Sequence, residues 1–212
     1  MNQEIVYADR TALIVIDMQY EFVHQNGAIY VKQAEEQIPL ISDLINYCRT
    51  KGIFIIYTKV IWNDDSEVPK SLLKGMPFKF EANKKILRRY LDSKPNLMVE
   101  IHEELKPKDL DYLVGKKYFD AFYNTNLDAT LDKISKKNGK TIENLIFTGT
   151  TINNCVYSTM LGASHRNYKT IAIKDCISGF PGEDLDFWFN RQMPNFLGTV
   201  VLTAEELKTK IK

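Results

Sequence analysis

Short β-branched runs alternate along this chain with turns and with stretches whose apolar residues recur at helical spacing. Thr11 to Ile16 (T-A-L-I-V-I) is apolar without a break and ends in Asp17, the pattern of a strand buried on both faces. Residues 35–50 read as a helix, with Ile38, Ile41, Leu44, Ile45 and Cys48 on one face. Lys51-Gly52 closes it, and Ile53 to Thr58 follows as a second strand. Between Trp62 and Lys116 the pattern is least regular, interrupted by Pro69, Pro77, Pro95 and Pro107, with a helix expected around Ala82 to Leu91. Next come a short strand Tyr112 to Val114, a helix Leu127 to Lys137, a strand Asn144 to Thr148 and Gly149. A helix from Asn153 to Arg166 leads to the strand Thr170 to Lys174. The pattern closes with a helix near Asp184, a strand Thr199 to Leu202 and a helix from Ala204.

Strands separated by helices imply βαβ units, so the expected fold is a three-layer α-β-α, Rossmann-like domain with a mostly parallel sheet. Residues 1–212 hold no internal repeat or low-complexity segment, which predicts one domain. Ligands of such sheets bind beyond the carboxyl ends of the strands. Asp17, Lys117 and Cys155 all fall just past predicted strand ends.

Composition changes this picture little. Apolar residues make up 44 % and charged residues 26 %, and the formal net charge is +1, which gives no argument for a nucleic-acid or membrane partner. The basic residues of the middle stretch are interleaved with apolar ones, as on a solvated helical face. No apolar run approaches the about 18 residues of a membrane span, and Met1-Asn2-Gln3-Glu4 lacks the order of a signal peptide, so a cytoplasmic location is expected. Cys48, Cys155 and Cys176 are odd in number and far apart, which argues against a disulfide framework or a structural zinc site.

Candidate chemistry centres on Cys155, in G-T-T-I-N-N-C-V, between a strand and the first turn of a helix. Helix-start N–H groups favour the thiolate; the plainer alternative is a buried cysteine serving as a small apolar residue. Asp17 after an apolar strand needs a partner, or caps a turn. Lys117, taken alone in Gly115-Lys116-Lys117, is a solvated lysine. His24, His102 and His165 are scattered without metal-ligand spacing, and no Gly-rich phosphate loop is present. Cys48 on a helix face and Cys176 after a strand read as core. Arg88 and Arg89 could hold a substrate carboxylate from a lid, although a solvated face accounts for them better.

Three segments carry a resemblance: T-A-L-I-V-I-D-M-Q-Y-E-F at 11–22, K-Y-F-D-A-F-Y-N-T-N-L-D at 117–128 and F-T-G-T-T-I-N-N-C-V-Y-S-T-M-L-G-A at 147–163. With T-I-A-I-K-D-C-I-S-G and G-T-V-V-L-T-A-E-E-L further on, the chain resembles the isochorismatase-like cysteine hydrolases outside the 62–100 stretch. The resemblance implies a catalytic triad of Asp17, Lys117 and Cys155, and a cis peptide between Thr150 and Thr151. It also implies an oxyanion hole from the Thr151 and Cys155 N–H groups. Phe22, Trp62 and Phe119 become candidate pocket walls. Thr151 and Ile152 depart from the alanine and threonine usual in that loop.

Two further departures narrow the expected activity. Nicotinamidases of this family hold a metal through Asp-x-His and a second histidine after strand two, where this chain reads Y-T-K-V-I-W-N-D-D; no metal and no cofactor are expected. Isochorismatases that cleave a vinyl ether lack the cysteine. The resemblance therefore points to amidases acting on a small amide, carbamoyl or ureido compound through a thioester, usually as dimers or tetramers. An Asp17-dependent ether hydrolase, a nicotinamidase and a non-catalytic binding protein on the same fold remain alternatives.

Overall fold

The computed structural model describes residues 5–27, 29–63, 65–68, 70 and 97–212. The helix expected around Ala82 to Leu91, and Arg88 and Arg89, lie outside the described residues.

Six strands form one parallel sheet: β1 Thr11–Ile16, β2 Phe54–Val60, β3 Tyr112–Lys116, β4 Asn144–Thr150, β5 Lys169–Ser178 and β6 Val200–Leu202. Their order is β3-β2-β1-β4-β5-β6, and every neighbouring pair is parallel. The chain thus winds outward from β1 in one direction and then outward from β4 in the other. The crevice for a ligand opens where that direction reverses, beyond the carboxyl ends of β1 and β4.

The helices are α1 Tyr20–Val23, α2 Lys32–Glu36, α3 Ile38–Thr50, α4 Leu127–Asn138, α5 Tyr157–Ser164, α6 Leu185–Phe187, α7 Met193–Leu197 and α8 Ala204–Lys210. Alternate residues of β1 feed two separate cores. Leu13 and Val15 pack with α2, α3 and α8; Ala12, Ile14 and Ile16 pack with α4, α5 and Met193. Burial on both faces is what the uninterrupted apolar sequence of β1 encodes. Among the described residues no helix is long and apolar enough to cross a membrane.

Several boundaries differ from the sequence reading. The expected helix 35–50 divides at Gln37 into α2 and α3, and α3 carries Pro39 in its first turn, where no N–H is required. Strand β2 runs on to Val60 because its pairing with β3 continues through Lys59↔Gly115 and Val60↔Lys116. Cys176, placed after a strand by the sequence, lies inside β5, which shifts register against β4 and then pairs again at Gly149↔Ile177 and Thr150↔Ser178.

Gly149 is fixed by contact as well as by backbone. Its φ is 109°, and a Cβ there would lie 2.1 Å from the carbonyl oxygen of Ile16. The end of β4 can therefore sit close against β1, just before Asp17 and just ahead of the Cys155 loop.

Candidate functional site

Strand β3 decides which lysine enters the sheet. Val114 and Lys116 are buried, while Leu113 and Gly115 on the opposite phase of the pleat are exposed. The sequence pattern predicts a strand ending at Val114, with Lys117 three residues beyond it. The strand continues two residues further, and the alternation sends Lys116 inward instead. Lys117 lies one step out of phase and pairs with Glu67, its Nζ 2.7 Å from Oε1. The expectation of Lys117 beside Cys155 is thus corrected to Lys116. The signal was in the sequence: Tyr112, Val114 and Lys116 form a period-two series with Val114 at its centre.

The Lys116 ammonium is fully enclosed among three polar groups, one an ion-pair partner and two hydrogen-bond acceptors. Nζ lies 2.8 Å from Asp17 Oδ2 in an ion pair with no exposed side-chain surface on either partner. It donates to Cys155 Sγ at 3.2 Å and to the carbonyl of Tyr118 at 3.0 Å. Burial works against the cation, but the charge of Asp17 beside it holds Lys116 above the ordinary lysine range.

Asp17 follows β1 with φ at 49°, a left-handed conformation that costs a non-glycine residue on the order of 1–3 kcal/mol. Its second anchor is Thr58 on β2, which the sequence reading did not mark. The Thr58 hydroxyl donates to Asp17 Oδ1 at 2.7 Å and accepts the Asp17 N–H at 3.2 Å. Threonine at the end of the strand neighbouring β1 was the available signal.

Cys155 is reached through a widened turn rather than the α-helical start that was expected. The N–H of Val156 donates to the carbonyl of Thr151, and that of Tyr157 to Ile152, each an i→i+5 bond. This turn, Ile152–Val156, leads directly into α5. The Thr150–Thr151 peptide is cis. Thr159 fastens the arrangement, its hydroxyl donating to the Cys155 carbonyl at 2.7 Å and accepting the Ala121 N–H at 3.1 Å.

The sequence suggested a thiolate favoured by a helix start. Burial instead favours the protonated thiol: it pushes Cys155 above the ordinary thiol value, while Lys116 pulls it down and Asp17 pushes it up again. Removing that proton requires a base, and Asp17 is the carboxylate at hand.

Phe22, Trp62 and Phe119 all line the cleft in front of Cys155, together with Thr150, Thr151 and Asn154. Trp62 is fixed there by an Nε1–H bond to the Lys117 carbonyl at 3.0 Å. Cys48 and Cys176 are buried in the α2–α3–α8 core, away from this cleft. His24 and His102 flank Tyr20. Among the described residues no group of three or more His, Cys, Asp and Glu side chains could hold a metal ion.

Relatives carry similar names. A ureidoacrylate amidohydrolase of Stutzerimonas stutzeri is 29 % identical over 180 residues, covering 79 % of this chain and 69 % of the relative. Among solved structures, a cysteine hydrolase from Pseudomonas syringae pv. phaseolicola superposes with a TM-score of 0.78 at 24 % identity, covering 99 % of this chain and 98 % of the other. An N-carbamoylsarcosine amidase from Thermoplasma acidophilum gives 0.69 at 24 % identity, covering 92 % and 97 %. These likenesses establish the fold. The isochorismatase domain matches residues 11–206, and with nearly the whole length accounted for, the chain belongs to the isochorismatase domain family.

Proposed function

We propose that this chain is an amidohydrolase that cleaves a carbon–nitrogen bond of a small amide, carbamoyl or ureido compound, with Cys155 as nucleophile, Asp17 as acid and base, and Lys116 as their shared cation. The observation that carries the reading is the position of the Lys116 Nζ, 2.8 Å from Asp17 Oδ2 and 3.2 Å from Cys155 Sγ in a fully buried setting.

Charge balance explains how so buried a thiol can react. At rest the group holds a carboxylate, an ammonium and a neutral thiol. After the proton passes from Cys155 to Asp17, it holds a carboxylic acid, an ammonium and a thiolate. Net charge is zero in both states, so no charge has to enter or leave the dry site. Lys116 exchanges one anionic neighbour for another without moving. Thr58 and the Tyr118 carbonyl keep the carboxyl and the ammonium in place meanwhile.

The thiolate then attacks the carbonyl carbon. The Thr151 and Cys155 N–H groups are assigned to the oxyanion, which is the role that loop geometry beside the thiol suits. Asp17 returns its proton to the departing nitrogen, and ammonia or an amine leaves behind a thioester. A water that gives its proton to Asp17 attacks the thioester, the acid is released, and the sulfur takes the proton back. Phe22, Trp62 and Phe119 exclude bulk water from this sequence.

The names borne by relatives, ureidoacrylate amidohydrolase and N-carbamoylsarcosine amidase, support the same bond type. The test is ammonia release across a panel of carbamoyl, ureido and amide compounds, followed by rapid quenching and intact-mass measurement with an active one. An acyl adduct mapped to Cys155 is expected, and a well-folded Cys155→Ala protein should be inactive. Turnover by Cys155→Ala would overturn the reading and return the Asp17-dependent ether hydrolase to first place.

A further inference from the structure

The cleft in front of Cys155 carries a charge arrangement that the proposed chemistry does not use. Its walls include Phe22, Ile29, Val60, Trp62, Phe119 and Phe180. Among the described residues that line it, the cation is Lys117. That cation is already matched by Glu67, whose Oε1 lies 2.7 Å from Nζ. Glu67 is fixed on its other side too, Oε2 accepting the Asn63 N–H at 2.9 Å and the Asn63 Nδ2–H at 3.0 Å. Lys117, followed by the Asn63 N–H, holds the Glu67 carboxyl below its ordinary range. A carboxylate of the chain itself is therefore already the partner of Lys117, in a partly exposed pair at the edge of the cleft.

We propose that the cleft selects amides whose non-reacting part is uncharged and apolar, and that Glu67 sets this preference by neutralising Lys117. The inference rests on the amide-hydrolase reading above and names its substrate class. Among the described residues, a substrate carboxylate would have to displace Glu67 from Lys117 and Asn63, or lie against aromatic walls close to the Asp17 carboxylate. Both are unfavourable. An apolar group displaces nothing and gains by leaving water. Glu67 and Lys117 are thus specificity residues at the rim, and Lys116 remains the cation of the chemistry.

The experiment has two arms, run on wild type, Glu67→Gln, and Glu67→Gln combined with Lys117→Met, each first checked for folding by circular dichroism. The first arm needs no turnover. Cys155 is alkylated with iodoacetamide and with iodoacetate, a neutral and an anionic reagent of similar size, and each rate is divided by that of N-acetylcysteine. Peptide mapping restricts the readout to Cys155. Wild type should favour the neutral reagent by about tenfold or more. Glu67→Gln, which frees the Lys117 cation, should narrow that preference severalfold, and adding Lys117→Met should restore it. A ratio unmoved by Glu67→Gln overturns the inference.

The second arm measures ammonia release from benzamide and 3-carboxybenzamide. Preference of the wild type for benzamide, reduced in Glu67→Gln, supports the inference. Preference for 3-carboxybenzamide overturns it and leaves the amide-hydrolase reading standing. Ammonia from neither compound, with the alkylation ratio still shifted by Glu67→Gln, supports Glu67 as the selector and leaves the amide-hydrolase reading to the wider panel of carbamoyl and ureido compounds.

Discussion

Thr58 and Asp17 are joined twice, the hydroxyl donating to Oδ1 at 2.7 Å and accepting the backbone N–H of the same aspartate at 3.2 Å. One small side chain from a neighbouring strand thereby orients the carboxyl so that its other oxygen faces Lys116. Thr58→Val keeps the shape and removes both bonds, leaving a buried N–H without its acceptor. Stability should fall by about 1–3 kcal/mol, and kcat should fall more than KM rises. A variant with wild-type kcat would show that Lys116 alone suffices to orient Asp17.

The two adjacent lysines give a direct comparison. Lys116→Met removes the cation that pulls the Cys155 thiol down, so alkylation with iodoacetamide near neutral pH should slow and turnover should fall by about a hundredfold or more. Lys117→Met should lose far less of either. Alkylation rate against pH, measured for both variants, checks the assignment. A larger loss at Lys117 would reverse it.

Gln19 ties together two places far apart in sequence. Its Nε2 donates to the carbonyls of Val60 and Val99, both at 3.0 Å, and its Oε1 accepts the Val60 N–H at 2.7 Å. The end of β2, from which Trp62 follows, is thereby held against the stretch that returns at Val99. Gln19→Leu strands these groups and should cost about 2 kcal/mol or more of stability. Denaturant midpoints for the two proteins measure it, and an unchanged midpoint would mean that water replaces the amide.

Stability should decline in alkali. Burial raises the three thiols above the ordinary 9.0, Cys48 to about 12, and raises Tyr57 from 10.0 to about 12. A raised value means that the folded chain keeps protons the unfolded chain releases, so the stability linked to these groups is complete below about pH 9 and is lost as pH rises toward 12. The melting temperature should be level from neutral to about pH 8.5 and fall above it. Cys48→Ala should make the fall shallower. A melting temperature that climbs above pH 9 would contradict the assignment.

The stretch after β2 bears on metal dependence. Asn63 stands there and gives both its N–H and its Nδ2–H to Glu67, in a segment, residues 57–65, that contains no histidine. Activity should survive exhaustive chelation. Loss on chelation, with recovery on adding zinc, would show that residues beyond the cleft described here bind a metal.

The central strands were legible because burial on both faces leaves a simple trace. Ala12 to Ile16 is apolar at every position, and with Thr11 before it the run coincides with the strand. The face of α3 was equally plain, since Ile38, Ile41, Leu44, Ile45 and Cys48 recur at helical spacing and all are buried. Edge strand β3 left a weaker trace. It has one inward phase, carried by Val114 and by a lysine, and a buried lysine reads as solvent-facing until its partners are known. The wide turn at Ile152–Val156 has no composition of its own, because an i→i+5 bond can be made by any residue with an N–H. The role of Thr58 depends on β2 lying beside β1, which a local pattern does not contain. Phe22 was placed by its match to a family position, Trp62 and Phe119 only as aromatics near the expected site, and the cleft gathers all three. The short helices α1 and α2 were not separated from their surroundings, since four or five residues span too little of a helical period to register.

The four polar groups of the site come from the ends of four strands: Asp17 after β1, Thr58 on β2, Lys116 on β3 and Cys155 beyond β4. Thr58 meets Asp17 across 41 residues of chain, and Lys116 meets Cys155 across 39. No local piece of the polypeptide contains the constellation. Pairings of such range are slow to form, because the loop between them must be closed before any contact rewards it. Before those strands pair, Cys155 lacks both the Lys116 contact and the burial that set its native reactivity. Its reactivity becomes a clock for folding, changing at the moment when strands β1 to β4 lock side by side.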